Sequence, residues 1–230
     1  MPYKLHTKLG FGGRSLESYL DTIYSSKLFF YAGHTYSAVS HLKKGKRINF
    51  KYWGNTETIG IKDFSMNFTR YGITSYLKEH NDILVINLYR ENILKRFISL
   101  EKMKDSGVVK VSNTGNSEKP VRSQQIKLDI PYTFEQLALF EKELADHTKM
   151  VQELPQSRVL NIRYEDLFAN SDTQNKHGNE AFRFLGVEPI AAKSDHRKIL
   201  SDNLADIVAN YDELRDKLQG TPFAKHLGDL

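Results

Sequence analysis

The 230-residue chain contains no cysteine. Disulfides, thiolate metal sites and a cysteine nucleophile are therefore excluded. No apolar run approaches the roughly 20 residues that a bilayer-spanning helix needs, and the opening MPYKLHTKLG lacks the charged-then-apolar pattern of a signal peptide. The expectation is a soluble, cytoplasmic protein. Neither glycine-rich phosphate loop, G-x-x-x-x-G-K-S/T or G-x-G-x-x-G, occurs anywhere. RRM, zinc-finger and helix-turn-helix signatures are also missing, so no nucleic-acid partner is expected. No internal repeat is visible. Cations exceed anions, 33 Lys and Arg against 28 Asp and Glu, giving a net charge of +5. That excess favours anionic partners without naming one, and from charge alone a mildly basic soluble surface is the stronger reading.

Against these absences stand three strand-length runs: ETIGIKDF at 57–64, DILVINLY at 82–89 and RVLNIRY at 158–164. The middle one is nearly all apolar, the pattern of a strand covered on both faces. Between residues 134 and 154, Phe134, Leu137, Phe140, Leu144, Thr148 and Val151 recur in steps of three and four, which predicts an amphipathic helix. A second helix begins near Glu91, and a third is predicted over 179–185, ending at Gly186 as a C-terminal cap. Strands alternating with helices imply a parallel sheet with crossover connections, hence one α/β domain over 1–230. Residues 106–127, rich in Ser, Asn, Gly and Lys, break both periods and read as a mobile surface loop. The basic stretch LKKGKR at 42–47 reads as a solvated turn.

The stretch DILVINLYRENILKRFISLEK at 82–102 concentrates the chemistry. If the strand ends near Tyr89, Arg90 lies at its carboxyl end and a helix N-terminus opens just after it, where free backbone N–H groups favour an anion. Asn92, Arg96 and Ser99 fall three or four residues apart on one side of that helix. A guanidinium, an amide and a hydroxyl at a strand end can cradle a phosphate. An ordinary exposed helix face carrying Lys95, Arg96 and Ser99 fits the same spacing.

The pattern L-x-R-x-N-x-x-x-R-x-x-S resembles the 3′-phosphate-binding segment of sulfotransferases that use 3′-phosphoadenosine 5′-phosphosulfate (PAPS). Two later stretches are similar to the same family, in particular its bacterial and carbohydrate branches. RVLNIRYEDLFANSD at 158–172 with AFRFLGVEP at 181–189 resembles its Tyr-Glu-Asp-Leu and Phe-Leu-Gly-Val segments, and the tail at 199–227 carries its Asn-Tyr-Asp-Glu-Leu. The resemblance implies a P-loop-NTPase-like three-layer fold, a central parallel sheet flanked by helices. It implies in-line sulfuryl transfer from PAPS to a hydroxyl or amine of a small-molecule, carbohydrate or lipid acceptor, with no metal. By the same resemblance Arg90 and Ser99 hold the 3′-phosphate, Arg197 and Lys198 belong to a basic loop closing over the nucleotide, and Lys62 lies near the transferring group.

At the front, the family's 5′-phosphosulfate loop has its nearest match in GFGGRSLESYLD, where Gly13, Arg14 and Ser15 end a strand and Ser18 lies in the following helix. Leu16 stands where the family pattern has glycine. A general base is required, and His34, following the strand-like LFFYA, is the expected one, with His41 and Glu17 as rivals. Two other classes stay open: a noncatalytic anion-binding relative with a degenerate loop, and a P-loop small-molecule kinase. The missing Walker lysine argues against the kinase.

Overall fold

The computed structural model describes residues 15–48, 50–106, 125–190 and 203–228. The chain divides into two compact units, residues 1–83 and 84–230. Among the described residues it holds nine α-helices and one parallel two-stranded sheet. Gly13, Arg14, Arg197, Lys198 and most of the loop expected at 106–127 lie outside the described residues.

The first unit is helical. Helix α1 (Leu16–Ser25) is capped by Ser15, whose hydroxyl accepts from the Ser18 N–H at 3.2 Å. Ser26 ends α1 and opens α2 (Lys27–Lys43) by accepting from the Phe29 N–H. Two short helices follow, α3 (Ser65–Arg70) and α4 (Tyr76–Glu79). Tyr76, 1% exposed, donates its hydroxyl to Asp21 at 2.8 Å and so ties α4 to α1. Burial, reinforced by that bond, raises the Tyr76 pKa.

Two expected strands are absent here. LFFYA lies inside α2, because an apolar run this short suits either period and the Ser26 cap selects the helix. Residues 57–64 form no strand either. Asp63 accepts from the Phe64 N–H and the Asn67 side chain, local bonds that turn the chain into α3 instead of pairing it.

In the second unit, β1 (Val85–Tyr89) pairs in parallel with β2 (Val159–Arg163), Val85 opposite Val159 and Tyr89 opposite Arg163. The connection carries α5 (Ile93–Ser106) and α6 (Ile130–Gln152). After β2 come α7 (Tyr164–Leu167), α8 (Ser171–Phe184) and α9 (Tyr211–Leu218). Both strands and the parallel pairing agree with the sequence reading. The burial of β1 does not: Ile86 and Leu88 are 40% and 45% exposed, while Asn87 between them is buried. A period of two gives the strand one covered and one open face.

Helix α6 starts earlier than its apolar stripe because Asp129 caps it, accepting from the Tyr132 N–H at 2.8 Å, with Pro131 in the first turn. Helix α8 also starts earlier, at a capping box of Asn170 and Thr173, and it ends at Gly186 with φ of 71°, as expected.

The core lies where α5 meets α6 and the C-terminal tail: Ile93, Leu94, Phe97 and Ile98 pack with Leu137 and Phe140 and with Leu204, Ile207, Val208, Leu214 and Leu218. The segment before α6 is stitched to that tail. Ile126 bridges Val208 in parallel, and Asn210 both accepts from the Leu128 N–H and donates to its carbonyl, each at 2.9 Å. An amide is the side chain that satisfies a backbone donor and acceptor together.

Asn210→Ala leaves two backbone groups of Leu128 without that partner, at a cost of about 1–3 kcal/mol. Urea unfolding followed by circular dichroism should show this loss. An unchanged midpoint would mean that Asn210 does not hold residues 125–129 to the tail.

Candidate functional site

Parallel strands end on the same side of their sheet, so the residues following β1 and β2 meet. Arg90 and Glu91 follow β1, and Tyr164, Glu165 and Asp166 follow Arg163 of β2. The charges cross between the strands. Arg90 Nε lies 3.5 Å from Glu165 Oε1, and Arg163 Nη1 lies 3.3 Å from Glu91 Oε2. The Arg90 guanidinium also sits 4.8 Å from the centre of the Tyr164 ring, a cation–π arrangement.

The two crossed pairs differ in quality. Arg163 grips Asp166 through two hydrogen bonds, 2.6 and 3.1 Å, and the Asp166 carboxyl is held below the usual range by them. The Arg90–Glu165 contact, with side chains only 17% and 19% exposed, is within ion-pair range but longer than a hydrogen bond. Both Glu165 oxygens are buried and neither has a hydrogen-bond partner.

Helix α5 begins three residues past Arg90. Asn92, 1% exposed, accepts the Lys95 N–H on its Oδ1 at 2.9 Å and donates from Nδ2 to the His226 carbonyl at 3.0 Å. It caps the helix and fastens it to the tail. Arg96, one turn on, donates to Glu143 of α6 at 2.7 Å and stacks over Phe140 at 4.2 Å. Asn92 and Arg96 thus serve packing: the helix side they share with Ser99 is engaged by α6 and the tail. Ser99 is half-buried about 9 Å along the helix axis from Ile93.

The remaining expected residues lie in the first unit. Ser15 and Ser18 stand at the N-terminus of α1, joined by the capping bond described above. His34, in mid-α2, packs against Phe30 and Phe50 with ring centres 4.4 and 5.4 Å away. Its rival His41 contacts the Arg47 carbonyl through Nδ1 at 3.1 Å and closes the turn after α2. Lys62 is exposed in the non-strand segment 57–64.

A polar chain centred on buried Asn87 was not anticipated. The Asn87 side chain of β1 donates from Nδ2 to Asn161 Oδ1 of β2 at 2.7 Å, and His147 Nε2 lies 2.7 Å from Asn87 Oδ1, so this nitrogen carries the proton. A single asparagine interrupting each apolar strand was the available signal. His226 lines a cleft of about 380 Å³ with Ile93, Glu141, Thr148, Lys149 and Lys225, and neither of its buried ring nitrogens is hydrogen-bonded. Among the described residues no three His, Asp or Glu side chains group as a metal site requires. Comparison with family models, curated proteins and solved structures finds no match to this chain.

Burial, reinforced by Arg96, lowers the pKa of His147, and burial, reinforced by Lys225, lowers that of His226. Each is neutral in the folded chain where the unfolded chain, with pKa near 6.5, takes up protons. Stability should therefore be fully present above about pH 6.5 and fall as pH drops below it. Urea unfolding across that window should show the fall, and His147→Gln with His226→Gln should flatten it. An equal slope in the double variant would show that other groups set the pH response.

Proposed function

We propose that this chain is a PAPS-dependent sulfotransferase of the cytoplasm, transferring a sulfuryl group in line to a hydroxyl or amine acceptor. In this reading the β1–β2 pair belongs to the centre of a P-loop-like three-layer α/β fold. One observation carries it: an arginine directly past the carboxyl end of a parallel strand, at the mouth of a capped helix, facing the Tyr-Glu-Asp segment that follows the neighbouring strand. Ligands of open α/β sheets bind at such strand ends.

As drawn, Arg90 and Arg163 face Glu91, Glu165 and Asp166, so the cluster carries one more negative than positive charge. A 3′-phosphate must take Arg90 from Glu165. The exchange requires that charge-assisted bonds of about 2.7–2.9 Å from the guanidinium to phosphate, shorter than the 3.5 Å to Glu165, outweigh the cost of leaving that carboxylate without its cation. Half-burial strengthens whichever anion is paired there. Ser99 is the second residue proposed for the 3′-phosphate.

A second reading is a noncatalytic anion-binding relative, and the packing of His34 between Phe30 and Phe50 favours it. Sulfuryl transfer from radiolabelled PAPS to a panel of sugar, lipid and phenol acceptors separates the two.

Arg90→Ala tests the nucleotide assignment directly. A charge-assisted bond contributes about 1.5–3 kcal/mol, so adenosine 3′,5′-bisphosphate should bind about ten- to a hundredfold more weakly, while AMP binds as to wild type. Calorimetry on folded protein decides it. Equal losses for both nucleotides, or none, would remove Arg90 from the site.

A further inference from the structure

From Thr22 to Thr56 the chain carries six cations, Lys27, Lys43, Lys44, Lys46, Arg47 and Lys51, and no acid at all. This stretch forms α2 and the turn after it, and five of those cations, all but Lys27, cluster within nine residues and are exposed. The turn is fixed against the helix end by bonds from the Lys46 N–H to the His41 carbonyl and from His41 Nδ1 to Arg47. Cations here also suit the negative end of the helix dipole.

Helix α2 is apolar on two sides. Phe30, Tyr31 and His34 pack with Phe50 and Trp53, and buried Phe29 packs with Tyr19 of α1. The outer side of α2 shows Leu28, Tyr36, Val39 and Leu42, at 69%, 51%, 47% and 63% exposure. At about 100° per residue these four fall within a third of the helix circumference. Tyr52, directly after Lys51, the last of these cations, is exposed as well. At a lipid–water interface acyl chains can take this stripe, anionic headgroups the cations beyond the helix end, and the tyrosines the headgroup level. A neutral protein partner leaves the five cations unanswered.

We propose that α2 and the exposed cations Lys43, Lys44, Lys46, Arg47 and Lys51 dock the protein on the surface of an anionic membrane, the helix lying in the interface plane. Among the described residues no helix is long and apolar enough to cross a membrane. This docking is independent of the nucleotide assignment, since it involves neither Arg90 nor Ser99.

Flotation of the full chain with two vesicle types tests it: pure phosphatidylcholine, and phosphatidylcholine with one-third phosphatidylserine. Binding should be confined to the anionic vesicles and weaken as salt is raised. Lys44→Gln with Lys46→Gln should reduce it about tenfold or more, and Val39→Asn with Leu42→Asn by a similar factor. Circular dichroism confirms that both variants are folded, and the lysines, being exposed, leave the fold unaffected. Absence of binding, or equal binding to neutral vesicles, overturns the proposal. So does a dimer in light scattering that Val39→Asn with Leu42→Asn dissolves without any vesicle binding, because a second copy then covers the stripe. Capture of an acidic protein by the same surface, with vesicles ignored, overturns it too.

Discussion

Two parallel strands that end side by side bring the residues after them within reach of one another, and in this chain those residues are charged. Arg163 is satisfied from two directions, by Asp166 beside it and Glu91 across from it. Arg90 meets Glu165 at 3.5 Å, and that carboxylate is buried without a hydrogen bond. Removing a carboxylate from water costs several kcal/mol unless good bonds replace the lost hydration. The contact leaves the Glu165 carboxylate poorly satisfied, and the proposed site asks an incoming anion to bond Arg90 well enough to replace it.

That arrangement is held by a second constraint, buried Asn92. One amide caps α5 and binds the tail carbonyl at His226, so the helix N-terminus beside Arg90 is fixed by residues more than a hundred positions later. Asn210 makes the corresponding junction between the tail and the segment leading into α6. The tail is thus part of the core rather than an appendage, which gives its Asn-Tyr-Asp-Glu-Leu segment a structural reason: Asn210 makes the bonds, Tyr211 and Leu214 pack.

The strands at 85–89 and 159–163, the long helix and the cap at Gly186 were legible because each carries a local signal: an apolar run, a stripe of fixed period, a glycine that reaches positive φ. What was illegible is what each side chain faces. Spacing correctly puts Asn92, Arg96 and Ser99 on one side of α5, but that side meets Glu143, Phe140 and the His226 carbonyl, none of them local in sequence. Likewise Glu165 as the partner of Arg90 depends on strand register. In the first unit the run LFFYA was misread as a strand because five apolar residues suit either period, and only the serine before it distinguishes them. The open face of β1 escaped for a related reason: an all-apolar strand is indistinguishable from a half-covered one until its neighbours are known.

The central claim is that Glu165 and a 3′-phosphate compete for Arg90. A double-mutant cycle of Arg90→Ala and Glu165→Gln, read as affinity for adenosine 3′,5′-bisphosphate by calorimetry, measures this directly. Removing the carboxylate should tighten binding about five- to thirtyfold when Arg90 is present, through loss of both the competitor and its repulsion of phosphate, and should have a much smaller effect in Arg90→Ala. Unchanged or weakened affinity in folded Glu165→Gln would contradict the account and leave Arg90 and Glu165 as an internal strut between the strand ends.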